Sequence, residues 1–342
     1  MGTWEIGCGL TGIALSLGLM MFFAYRGVSV LLTAPLLAVV ALAFDPHSHI
    51  LAAYTQIFMV AMGNFAMKYF PIFLLGAVFG KLIQDSGAAQ VIAERIGRAV
   101  GRRHVMVATV LACGLLAYGG VSLFVVAFTV YPLAAALFRE ADIPICLLFA
   151  ALAAGAFTFS LGALPGTVQI HNMIPMPYFH TTAFAAPGLG TIGGALMFAA
   201  TTAWLNARVR AAHRAGEGYG TMHLHESAAQ FVDRPPSFVT AMMPIVTVVA
   251  LNYALSQYVV PLWDAGYLAE PKYGPTDLSR LVGTWSTIVA MAFGIGVAAA
   301  LWFRSANRLN QSLTVGSAGA LLPTFNTASV VGYGATIASL SA

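Results

Sequence analysis

Apolar residues run along this chain in long blocks, with the polar positions collected between them. A helix needs about 20 mostly apolar residues to cross a bilayer core. Residues 6–25 supply one such block, and residues 28–44 a shorter, uncharged one. Residues 50–67 are uncharged but carry Gln56 and Asn64, which suggests a segment at the interface or one that enters part-way. Residues 69–80 form a short apolar piece with Pro71 near its start. The pattern then changes. Val91, Ile92, Ile96 and Ala99 recur at helical spacing against Glu94, Arg95 and Arg98, which predicts an amphipathic helix on the membrane surface. Residues 238–260 and 281–303 are two further clear spans.

Three stretches do not fit simple spans. Residues 105–138 contain no Asp, Glu, Lys or Arg and are too long for one straight crossing; Gly119 and Gly120 at their middle predict a broken helix. Residues 143–207 also carry no Asp, Glu, Lys or Arg, yet their centre is rich in turn formers, from Leu164-Pro165-Gly166-Thr167 to Ile174-Pro175-Met176-Pro177. Apolar helices over 144–161 and 188–204 flank that centre. A polar, basic loop is expected over 205–237. The last uncharged stretch, 309–342, is expected to be interrupted around Pro323 to Ser329.

Composition removes the soluble classes. The chain of 342 residues is 59% hydrophobic and 8% charged, with mean hydropathy +0.82. Globular domains carry about 25% charged residues, so lipid must cover much of this surface. The net charge of +4 does not indicate nucleic acid, because the basic residues lie in short loops between apolar runs. Those loops set an orientation. With 81–103, 208–234 and 304–308 on the cytoplasmic side, only Lys68, Lys272 and Arg280 of the 16 Lys and Arg residues fall outside. Residues 158–187 then stay near the outer side or re-enter. The N-terminal stretch has Glu5 and no basic region, so the first block reads as a retained span rather than a secretory signal. Cys8, Cys113 and Cys146 lie in apolar runs without metal-site spacing and read as packing residues.

The broken segments carry the candidate chemistry. An unpaired backbone N–H or C=O facing lipid costs several kcal/mol, so irregular backbone at membrane depth must be buried in protein or line a wet cavity. In transporters such segments form the solute site. Pro165 and Gly166 break the helix; Thr167, Gln169 and Asn172 offer hydrogen-bond donors, and His171 can donate or titrate. A carboxylate could be held there by neutral donors and a helix N-terminus. Simpler readings remain open: an external polar loop for 164–177, close helix packing at Gly119-Gly120, and a capping turn at Asn326-Thr327-Ala328-Ser329. His180 shares with His171 a position flanking the Pro-rich centre; His47, His49, His213, His223 and His225 lie in loops, and His104 at a span boundary. No span carries a deep carboxylate, so no proton site is assigned from the residues alone. No His-Glu-x-x-His motif, P-loop or Gly-x-Ser-x-Gly elbow occurs, which points away from an enzyme and from ATP-driven transport, and no cofactor motif is present.

Several motifs resemble one family. Ala163 to Thr167 with Gln169, Asn172, Pro175, Pro177-Tyr178-Phe179 and the run Phe184 to Gly190 closely resemble the signature of the gluconate permease (GntP-type) family. Lys81 to Ala89 looks like its early Gly-Lys-…-Ser-Gly-Ala-Ala stretch, and Asn326 to Gly334 like its later Asn-Thr-Ala-Ser-x-Val-Gly-x-Gly stretch. The resemblance implies a proton symporter of the ion-transporter superfamily for a small hydroxy-carboxylate, such as 3-hydroxybutyrate or gluconate. It implies alternating access, inverted repeats, re-entrant hairpins, a homodimer and a bacterial inner-membrane location. Sodium in place of the proton, or a non-transporting receptor or assembly subunit, are the rival readings. Tyr118 to Phe124 is more like the 3-hydroxybutyrate branch, since the gluconate branch tends to have an Asp near this point. The site residues implied are Gly119, Gly120, Ser122, Pro165, Gly166, Thr167, Gln169, Asn172, Asn326, Thr327 and Ser329, with His171 as the proton-coupling candidate.

The expected fold is therefore an all-α polytopic membrane protein. Scaffold spans and the amphipathic helix occupy 1–104, a first transport-type bundle 105–204, a cytoplasmic loop 205–237, second-repeat scaffold spans 238–304, and the start of a second bundle 305–342. The family pattern continues into a second hairpin with a Ser-His-x-Asn-Asp type stretch that does not occur before Ala342, so the second repeat is expected to be incomplete.

Overall fold

The computed structural model describes residues 3–101, 104–121, 123–220, 235–274, 276–303 and 305–340. Among these the regular structure is entirely helical, and five helices are long and apolar enough to cross a membrane. The chain divides into two units, one of residues 1–74 with 319–342 and the other of residues 75–318.

The first unit begins with α1 (Thr3–Tyr25) and α2 (Val30–Ala43), the first two apolar blocks of the sequence. The next two blocks differ from expectation. Residues 50–85 form one helical run: α3 (Ile50–Ala53), a π-helical turn at Tyr54–Phe58, and α4 (Met59–Asp85), which passes through Pro71 without a break. A helix interior proline removes one hydrogen bond. In an apolar medium the freed groups of a full break would find no water, so a continuous helix costs less than a loop. The same reasoning corrects the interruption expected at Pro323. α15 (Ala306–Ala338) is unbroken, and the hydroxyls of Thr324, Thr327 and Thr336 each donate to the carbonyl four residues back, at 2.7–2.9 Å. The core of this unit gathers Ala34, Leu37, Ala38, Phe58 and Tyr333, with a buried hydrogen bond of 2.7 Å between Ser16 Oγ and Tyr333 Oη.

In the second unit the amphipathic helix is present as α5 (Ala88–Val100), entered through Gly87 in the left-handed region. Its buried stripe is Ala88, Ala89, Ile92 and Ala93, whereas Ala99 is exposed and Ile96 half-buried. Small residues let it lie against its neighbours, while Arg98 pairs with Glu94 at 3.0 Å on the open side. Within this unit the end of α4 is tied to the start of α15. Asp85 accepts from Lys81 Nζ at 2.7 Å and from Ser312 Oγ at 2.6 Å.

Residues 105–138 do break where the paired glycines stand. α6 (Val105–Tyr118) and α7 (Leu123–Glu140) flank the break. α8 (Cys146–Phe157) and the short α9 (Phe159–Gly162) lead into the Pro-rich centre, which contains only α10 (Ile170–Met173) and α11 (Met176–Phe179). α12 (Pro187–Arg214) leads away from it. It runs ten residues into the stretch expected as a loop, because Ala-rich sequence favours helix and Arg208, Arg210, His213 and Arg214 suit a helix C-terminus. α13 (Phe238–Ala254), continued by a π-helical turn at Leu255–Val259, packs against α14 (Leu278–Trp302). Asp277 caps α14, accepting from the Arg280 N–H at 3.2 Å and from the Ser279 hydroxyl. Ser279 in turn accepts from His180 Nδ1 at 2.7 Å, which ties the end of the Pro-rich centre to α14. The Ser279 hydrogen bond first, then Arg280 and His180, holds the Asp277 carboxyl below the ordinary carboxylate value.

Gly155 marks the closest approach of α8 to α6: a Cβ there would overlap the Val110 carbonyl and come within 2.6 Å of Cys113 Cβ. Gly296 on α14 has open space around it. Gly155→Leu is therefore expected to lower stability by about 1–3 kcal/mol or more, and Gly296→Leu to leave it nearly unchanged. Thermal unfolding of the detergent-solubilised protein checks this, and equal melting temperatures for the two variants would contradict the packing.

Candidate functional site

Two unwound segments meet in the second unit, one between α6 and α7 and the other between α9 and α12. Side-chain amides join them. Gln169 Nε2 donates to the Ala117 carbonyl at 2.6 Å and to the Val121 carbonyl at 3.3 Å. Both acceptors lie at the break of α6; the Ala117 carbonyl also accepts from the Gly120 N–H at 3.0 Å. From the other side, Tyr118 Oη donates to the Pro165 carbonyl at 2.8 Å. Each break thus satisfies backbone groups of the other.

The Pro-rich segment is also stitched to itself. Asn172 Nδ2 donates to the carbonyls of Thr167 at 3.0 Å and Ala183 at 3.1 Å. Gly166 N–H donates to the same Ala183 carbonyl at 2.7 Å, and Thr167 Oγ1 donates to the Ser160 carbonyl at 2.9 Å. Thr167 is fully buried; Gln169 and Asn172 are half-buried.

Two glycines are required by shape. Gly166 has φ +85°, and a Cβ there would overlap the Phe184 ring and reach 3.0 Å from Tyr118 Oη. Gly120 has φ +88°, and its Cβ would come within 2.6 Å of Val168 Cγ2. Gly119 lies against Ile245 of α13. The close approach of the two unwound segments therefore depends on bare backbone at both Gly120 and Gly166.

The expected site residues are thus distributed unequally. Gly119, Gly120, Pro165, Gly166, Thr167, Gln169 and Asn172 come together. Ser122 lies outside the described residues. His171 is exposed on α10, beside Asn172 in sequence. Asn326, Thr327 and Ser329 belong to the other unit, on the unbroken α15. There Thr327 Oγ1 donates to the Pro323 carbonyl at 2.9 Å, and buried Asn326 Oδ1 has no hydrogen-bond partner among the described residues. The donors read from sequence as solute ligands are, in this conformation, committed to backbone carbonyls. Their neutral character gives a polar interior without a fixed charge, and no group of His, Cys, Asp and Glu suited to a metal occurs among the described residues.

Tyr118 and Gln257 were not read as site residues from the sequence. Gln257 Nε2 donates to Thr182 Oγ1 at 3.3 Å at the exit of the Pro-rich segment. A glutamine inside an otherwise apolar block was the signal available for it.

This arrangement defines a class: a polytopic α-helical membrane protein with two unwound segments that bond to one another. The chain belongs to the GntP permease family, described as GntP family permease, whose model matches residues 4–254. It is also similar to the "Uncharacterized transporter YxjC" of Bacillus subtilis (strain 168), at 41% identity over 342 residues, covering 96% of this chain and 72% of that protein. No solved structure matches the chain.

Gln169→Glu keeps the side-chain shape but removes both N–H donors. Leaving the Ala117 and Val121 carbonyls without that partner is expected to cost about 1–3 kcal/mol, read as a lower melting temperature in detergent. An unchanged melting temperature would show that the amide does not join the two breaks.

Proposed function

We propose that this protein is a secondary transporter: a proton symporter that carries a small hydroxy-carboxylate, such as 3-hydroxybutyrate or gluconate, across the bacterial inner membrane by alternating access. The observation that carries this reading is the pair of charge-free, interlocked breaks joined by Gln169 and Tyr118. Membership of a permease family supports movement of a solute rather than catalysis. The transporter name of the Bacillus relative agrees with it.

The chemistry of the segment suits a small organic anion held by neutral donors. Residues 143–207 present amides, hydroxyls and backbone N–H groups but no lysine or arginine. Such donors bind a carboxylate without the tight ion pair that would slow its release. Gly119, Gly120, Ser122, Pro165, Gly166, Thr167, Gln169 and Asn172 are the substrate-binding set of the second unit in this reading, and Asn326, Thr327 and Ser329 on α15 are the candidates of the first. His171 is the proton-coupling group, since it is a titratable side chain within the segment. Because Gln169 and Asn172 bond to backbone carbonyls, solute binding would exchange those bonds for bonds to the carboxylate. That exchange is a direct way to couple occupancy to rearrangement of the Pro-rich segment against its scaffold. A second copy of the chain completes the expected assembly as a homodimer.

Membrane vesicles containing the chain are expected to accumulate labelled 3-hydroxybutyrate or gluconate when the outside is more acidic. Asn172→Ala should abolish that uptake, and His171→Gln should remove its dependence on the pH gradient, both with membrane insertion unchanged. Wild-type uptake that follows a sodium gradient instead of pH would overturn proton coupling. Full uptake by the Asn172 variant would overturn the site assignment.

A further inference from the structure

The interface of α13 with α14 buries polar side chains on two successive turns, Asn252 on one and Ser256 with Ser286 on the next. On α13 the buried face is Ala241, Ile245, Val248 and Asn252. On α14 the face opposite runs Val282, Ser286, Ala290 and Gly294, all buried. Two contacts fix the antiparallel register. A Cβ on Gly294 would overlap Val248, and Val282 packs in one cluster with Leu255 and Val260. Stepping one helical turn along each helix from Val248–Gly294 places Asn252 opposite Ala290. The next turn places Ser256 opposite Ser286. Asn252 and Ser286 are both fully buried.

Neither Nδ2 nor Oδ1 of Asn252, nor Oγ of Ser286, has a hydrogen-bond partner among the described residues. A buried amide with both ends unpaired is costly and calls for a polar ligand. The neighbouring stripe of α14 faces the interlocked segments. Gly283 lies against Met176, Thr287 Oγ1 lies 3.4 Å from Met173 Sδ, and a Cβ on Gly120 would lie 3.3 Å from Met291 Cε. Ser286 thus stands between Gly283 and Thr287 in sequence, both of which touch the Pro-rich segment. A track of polar groups also leads to it from outside. Exposed Gln257 bonds to Thr182 at the segment's exit and approaches Ser256 Oγ at 3.5 Å. The π-helical turn at Leu255–Val259 widens α13 at this point, a feature frequent at functional sites.

We infer that Asn252 and Ser286 form a subsite that reads the hydroxyl group of the transported hydroxy-carboxylate. The chemistry selects this class. Oδ1 only accepts, Nδ2 only donates, and Ser286 Oγ does either. A hydroxyl donates once and accepts at its lone pairs, so it satisfies all three atoms. A carboxylate only accepts and would leave Oδ1 unpaired; an ammonium only donates and would leave Nδ2 unpaired. A site of unpaired groups built for a hydroxyl rejects the analogue that lacks it. The inference rests on the transport reading above, and extends it to the residues that separate hydroxylated from plain carboxylates.

The test uses the full chain in proteoliposomes, with 3-hydroxybutyrate and butyrate competing for uptake of labelled 3-hydroxybutyrate. The wild type is expected to prefer 3-hydroxybutyrate, and Ser286→Ala and Asn252→Leu are each expected to reduce that preference by about tenfold or more, with inhibition by butyrate little changed. Asn252→Ser, which retains a donor and acceptor, should recover part of it. An undiminished preference in both variants would overturn the subsite and leave Asn252 and Ser286 bound to water only. Equal weakening of both acids would also overturn it, by assigning the pair a packing role. Failure of the wild type to take up 3-hydroxybutyrate at all would overturn the transport reading itself, which separates the two failures.

Discussion

Everything in the second unit depends on the need to pair backbone polar groups where no water is at hand. An α-helix meets that need internally, and each break in one exposes carbonyls and N–H groups that must find partners in the protein. Here, at the break after α6, Gln169 donates to the Val121 carbonyl and shares the Ala117 carbonyl with the Gly120 N–H, while Tyr118 serves the carbonyl of Pro165 in return. Each unwound segment takes part of its hydrogen bonding from the other. The glycines at 120 and 166 allow the approach, and the amide of Asn172 closes the Pro-rich segment on itself.

The same constraint explains why other suspected breaks are absent. Pro71 and Pro323 stand inside long helices, where losing one hydrogen bond costs less than exposing several groups. The threonines of α15 fold their hydroxyls onto carbonyls of their own helix, which removes the polar cost without interrupting it. Polar residues in an apolar helix are therefore of two kinds. Some, like these threonines, satisfy themselves locally. Others, like Asn252, cannot, because a side-chain amide carries two donors and an acceptor that no single neighbouring carbonyl can match. The second kind marks places where a partner from outside the helix is needed.

This distinction gives the polar residues of the site their roles. Gln169 and Asn172 hold backbone carbonyls, Thr167 is locked to Ser160, and the side chains of Asn252 and Ser286 have no hydrogen-bond partner among the described residues. A permease needs interactions that are satisfied in the absence of solute and can be replaced by it, since a solute shifts an equilibrium only by its differential affinity for the two states. Neutral amides and hydroxyls meet that need more readily than fixed charges, whose burial is expensive when the counter-ion leaves.

The sequence by itself determined the membrane class, the all-α character, the amphipathic α5 and the breaks at Gly119-Gly120 and Leu164–Pro177, since hydrophobic block length and clustered turn formers are local signals that the bilayer reads directly. It also carried the family, through ordered motifs that include Gln169 and Asn172. It did not separate a proline that breaks a helix from one that is tolerated, as at Pro71 and Pro323, because that outcome depends on whether neighbouring elements offer partners for the freed groups. Nor did it show that Gln169 reaches residues 48 and 52 positions away, or that Asn252 and Ser286 fall on successive turns of one packed helix pair. Those pairings join distant stretches of chain, and only tertiary packing decides which unpaired donor meets which unpaired acceptor.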